Sequence, residues 1–97
     1  MSKIEDEFRE RGTYRGRTLK FRPADAIAFV RRCREKKVIV FGVDGFYLTA
    51  TTTQPDMNES IDLSLPPYRG QDCWKLAEEF IGERQDSDLF FEVVADE

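Results

Sequence analysis

Val38-Ile39-Val40-Phe41-Gly42-Val43-Asp44-Gly45-Phe46-Tyr47-Leu48-Thr49-Ala50-Thr51 is the stretch on which the fold turns. Its two flanks are rich in β-branched and aromatic residues, which suit a pleated, half-buried surface. Asp44-Gly45 stands between them. A two-residue Asp-Gly loop has the composition that a type I′ turn requires, because both central positions take positive φ. The stretch therefore reads as a β-hairpin with Val43 facing Phe46 beside the turn.

Upstream, residues 17–22 alternate charged or polar with apolar, placing Leu19 and Phe21 on one side of a half-exposed strand. Pro23 follows at a position where a helix accepts it, and Asp25 complements the positive end of the helix dipole. Ala24, Ile27, Ala28, Val30 and Cys33 form the expected apolar face, and Arg31, Arg32, Arg34, Lys36 and Lys37 crowd the last turns. Cations there complement the carbonyl end without any ligand. Residues 1–16 are charged and carry little apolar pattern beyond Ile4 and Phe8. They read as a partly ordered N-terminal arm with a helical turn across residues 3–11, in front of a single domain over residues 17–97.

Downstream, residues 52–60 read as a loop, and Ile61, Leu63 and Leu65 alternate with Asp62 and Ser64 as a short edge strand that Pro66-Pro67 ends. A second helix from Gln71 carries Cys73, Trp74, Ala77, Phe80 and Ile81 on one face, with Glu78, Glu79 and Glu83 on the other. Trp74 is expected in the core. Residues 89–94 form a last strand, placed centrally by their apolarity. The class is α+β: an antiparallel or mixed sheet of four to five strands with two helices on one face. Leaving out the short strand, the element order is the βαββαβ of ferredoxin-like folds.

The 97 residues carry 15 basic and 19 acidic side chains, and the imbalance is polar along the chain. Residues 1–37 hold twelve basic and six acidic groups; residues 38–97 hold three and thirteen. Such a lopsided distribution favours a charged partner, unless the two halves interleave in space. There is no histidine, so imidazole bases, Ser/His and Cys/His pairs and the commonest metal ligand are missing. Cys33 and Cys73 are too few for a zinc site or a disulfide framework and read as buried thiols. No phosphate-cradling glycine motif occurs. Residues 56–62 offer oxygens but lack the glycine and glutamate of a calcium loop. No cofactor is expected. No apolar run approaches the roughly 20 residues of a membrane helix, and the acidic start lacks a signal peptide's apolar segment. The expectation is a cytoplasmic protein without a membrane partner.

Arg9, Arg11, Arg15, Arg17, Lys20 and Arg22, with Tyr14 and Phe21 among them, offer one binding reading: cations tracking phosphates while aromatics stack on bases of RNA or DNA. A sequence pI near 4.9 opposes it. The other reading starts from residues 42–48, Gln54-Pro55-Asp56-Met57 and Ile61-Asp62-Leu63-Ser64, a pattern that resembles small bacterial immunity proteins of the polymorphic-toxin and colicin type. The resemblance implies a non-catalytic, stoichiometric inhibitor covering a toxin's active site, with an acidic surface against a basic partner. The expected contact residues are Asp56, Glu59 and Asp62, with Glu78, Glu79 and Glu83 on the second helix.

Overall fold

The computed structural model describes residues 3–97. Along the chain run α1 (Ile4–Glu7), a 3-10 turn (Arg9–Arg11), β1 (Thr13–Arg15), β2 (Thr18–Lys20), α2 (Pro23–Glu35), β3 (Val40–Leu48), β4 (Thr53–Asp62), α3 (Cys73–Gly82) and β5 (Phe90–Ala95). The class is α+β, with two antiparallel sheets: β1-β2, and a three-stranded sheet ordered β4-β3-β5. Phe21 extends the second sheet beyond β5 through paired backbone bonds with Phe91, 2.8 and 2.7 Å long. β5, expected in the centre, is the last full strand of this sheet and pairs with β3 on one side and, at Phe91, with Phe21 on the other.

The hairpin exists, but its turn is not at Asp44-Gly45. Val40–Leu48 is one continuous strand, and the chain reverses at residues 49–52. There the Thr49 amide donates to the Thr52 carbonyl at 2.9 Å, Thr49 Oγ1 accepts from the Thr51 and Thr52 amides, and Arg15 donates to the Thr49 and Thr52 carbonyls. The glycines serve close approach instead of turning. A Cβ on Gly45 would lie 2.6 Å from the Glu59 carbonyl oxygen, and one on Gly42 would lie 2.8 Å from that of Ile61. Asp44 pairs with Ser60 and Gly45 with Asp56, so residues 57–59 bulge out of the ladder. The segment expected as a loop is therefore the body of β4. Pro55 is tolerated there because β4 is an edge strand.

The N-terminal segment is anchored. Ile4 and Phe8 are buried, and the Phe8 ring meets Phe21 and Phe29 edge-on at 6.0 and 5.3 Å. The Glu97 carboxylate accepts from the Ile4 and Glu5 amides, joining the first helix to the end of the last strand. In α2 the buried face is Ala26, Ile27, Phe29, Val30 and Cys33. Ala24 is exposed and Ala28 half-buried, so the stripe keeps Ile27, Val30 and Cys33 but is turned by about a quarter turn toward Ala26 and Phe29. In α3, Asp72 caps the helix by accepting from the Lys75 amide at 3.0 Å. Cys73, Ala77 and Ile81 are buried, and Trp74 packs on the core while its Nε1 donates to the Val38 carbonyl at 2.8 Å. Both helices cover one face of the sheet. Among the described residues, no helix is long and apolar enough to cross a membrane.

Candidate functional site

A groove of about 590 Å³ runs between the end of β4 and α3. It forms because α3 packs over β3 and leaves the outer edge of β4 uncovered, while the loop after β4 carries Leu65, Pro66 and Tyr68 along the open end. Its floor is apolar: Ile61 from β4, Leu76 and Phe80 from α3, and Leu65, which is 56% exposed. Its rim is acidic, with Glu79 and Glu83 on the helix and Asp62 at the strand edge, where it also borders the depression on the sheet's other face. Glu79 and Glu83 lie four apart, one turn above another.

Three of the six expected contact residues thus come together. Glu59 stands beside them but is engaged: its carboxylate pairs with Arg84, whose guanidinium lies 3.8 Å over the Phe80 ring and closes one end of the groove. The other two are elsewhere. Asp56 accepts from the Asn58 amide at 3.0 Å and holds the bulge. Glu78 turns toward α2 and pairs with Arg31 at 2.5 Å. Among the described residues, Asp62, Glu79 and Glu83 form no ion pair, and Arg84 is the one cation that lines the groove with them. Ser64 donates to Asp62 from both its amide and its hydroxyl, at 2.9 and 2.6 Å, which holds that carboxyl below the usual carboxylate range.

The apolar floor was not legible in the sequence. Leu65 reads as the end of a strand and Phe80 as core, and only the placement of α3 beside an uncovered edge turns them into a lining. A second depression of about 470 Å³ lies between α2 and α3, lined by Arg31, Arg34 and Lys75 with Asp72 and Glu78; Glu79 stands between the two hollows and borders both.

The basic residues of the N-terminal third are mostly spent on internal contacts. Arg9 pairs with Asp6, and Arg11 pairs with Asp25 while lying over the Phe8 ring. Arg15 holds the β3–β4 turn, and Arg22 donates to the Leu89 and Ser87 carbonyls. Lys20 is 3% exposed; its Nζ sits 3.0 Å from Glu92 Oε1, bonds Thr18 and lies 4.3 Å over the Phe46 ring. Cys33 and Cys73 are buried and free, and burial pushes the Cys33 thiol up to about 12. Among the described residues, no group of His, Cys, Asp or Glu gathers in a way that could hold a metal ion.

No known protein-family model matches the chain, and no curated protein matches it.

Proposed function

We propose that this chain is a non-catalytic protein-binding domain that takes up a basic protein partner at the β4–α3 groove, and that it serves as an immunity-type neutraliser of a bacterial toxin. The carrying observation is the meeting of Asp62, Glu79 and Glu83, none of them ion-paired among the described residues, on the rim of a groove whose floor is apolar. An apolar centre supplies binding free energy and unpaired charges at the rim supply steering, the division of labour found in specific protein interfaces. The neutraliser role extends this reading through the resemblance of residues 42–48, 54–57 and 61–64 to immunity proteins, and a basic toxin face is the matching surface. A nucleic-acid ligand fits less well, because Arg9, Arg11, Arg15, Lys20 and Arg22 already pair with or donate to groups of the same chain.

A pull-down from host lysate, run with and without nuclease, tests the reading when the Asp62→Lys/Glu79→Lys/Glu83→Lys variant is run beside the wild type. The expected result is one basic protein at near-equal stoichiometry, insensitive to nuclease and lost by the variant. Recovery that is equal for both proteins, or that vanishes with nuclease, overturns it.

A further inference from the structure

The edge of β4 lies uncovered along the groove. Leu63 donates its amide to the Phe41 carbonyl at 2.8 Å, and Val43 faces Ile61 in the ladder, so Ile61 and Leu63 point their backbone groups inward to β3. Backbone direction alternates along a strand, so the N–H and C=O of Ser60 and Asp62 point the other way, into the groove. Strand β4 is the sheet's edge, and among the described residues no strand pairs with it on that side. Natural edges are usually shielded by bulges or charge. Residues 57–59 do bulge, but that bulge ends before Ser60 and leaves residues 60–62 straight and open. An open edge facing a helix across an apolar trough is the geometry in which an extended peptide adds to a sheet.

We infer that the partner is engaged through an extended segment that adds as a strand beside Ser60–Asp62, between β4 and α3, with lysine or arginine at alternate positions. This rests on the basic-partner reading above and specifies its mode. A strand there lies about 4.8 Å from β4 and sends every second side chain toward α3. Those side chains cross Leu65 and Phe80 before reaching Glu79 and Glu83. A lysine or arginine fits that path, with its aliphatic stem on the floor and its charge at the rim. The other side chains point to the opposite face of the sheet, where Met57, 82% exposed, and Asp62 border a further depression.

The probe is an acetylated, amidated octapeptide alternating lysine and valine, titrated into the ¹⁵N-labelled domain. Its control is the same peptide N-methylated at alternate residues, which keeps side chains and charge but removes the backbone donors. The expected outcome is saturable binding, at least tenfold slower hydrogen exchange at the Ser60 and Asp62 amides, and at least tenfold weaker binding of the N-methylated peptide. Equal binding of the two peptides, shifts confined to other residues, or no binding overturns strand addition. So does concentration-dependent dimerisation of the domain that protects the same two amides, because the occupant is then a second copy of the chain. The broader reading fails separately: it falls if the triple charge reversal leaves capture of the natural partner intact, whatever the peptides do.

Discussion

At the residue scale, Lys37 bears the clearest local strain. Its φ is +57°, and it ends α2 with the paired bonds of a Schellman motif, Val38 amide to Cys33 carbonyl at 2.8 Å and Lys37 amide to Arg34 carbonyl at 3.1 Å. Glycine is the residue that takes this conformation without a Cβ penalty, so Lys37→Gly is expected to stabilise the fold by about 1 kcal/mol, read as a higher urea midpoint at unchanged slope. Asp44 gives a pH prediction. Burial, with Glu92 and Asp62 nearby, holds its carboxyl above the usual range, against a lowering hydrogen bond from Ser60. The folded state then holds this proton more tightly than the unfolded chain does. Folding is therefore penalised at neutral pH, and the penalty fades as the pH falls through the carboxylate range. Asp44→Asn is expected to raise the melting temperature at neutral pH and to leave it unchanged near pH 3. Lys20 gives the opposite case: Glu92→Gln strips a buried ammonium of its carboxylate and is expected to cost about 2 kcal/mol in denaturant unfolding. Neither the strain at Lys37 nor the burial of Lys20, which in the sequence reads as a phosphate-tracking cation, is legible there, because both arise only through the arrangement of neighbouring elements.

At the element scale, the two glycines that differ most in surroundings make a paired prediction. Gly45→Ala drives a Cβ into the Glu59 carbonyl and forces β3 and β4 apart, a loss of about 1–3 kcal/mol in chemical unfolding. Gly82→Ala meets nothing within 4 Å at the end of α3 and is expected to be neutral or to stabilise by roughly 0.5 kcal/mol. The helices were legible because their signals are local: Pro23 and Asp25 open α2, and the apolar spacing of both helices needs no distant partner, although α3 begins at Cys73, after the Asp72 cap, and not at Gln71. The turn at Asp44-Gly45 was misread for a tertiary reason. The same dipeptide serves a tight turn or a bulged strand under close backbone approach, and what decides is that Glu59, fourteen residues away, lies against Gly45. The real turn, at residues 49–52, has no glycine and depends on Arg15 from another sheet.

At the scale of the whole molecule, the charge polarity of the chain is partly folded away. Lys20 and Arg31 of the basic part pair with Glu92 and Glu78 of the acidic part. Arg9, Arg11 and Arg32 pair with carboxylates of their own half, among them Asp6, Asp25 and Glu7. Among the described residues, the groove acids, half of the contact set that the sequence suggested, stay outside these ion pairs. Glu78 and Asp56 were indistinguishable from the others in sequence, since helical spacing does not tell which flank of α3 meets α2. Steering by the groove acids predicts that association with a basic partner slows by about tenfold or more when Asp62, Glu79 and Glu83 are reversed, and that raising salt slows the wild type toward the variant.

Hydrogen exchange of the domain, alone and bound to the partner recovered from lysate, tests the central claim most directly. The account predicts new protection along residues 60–65 and 76–84, the two walls of the groove, with residues 9–22 unchanged. Protection confined to residues 9–22, with the groove exchanging as it does in the free domain, would contradict it.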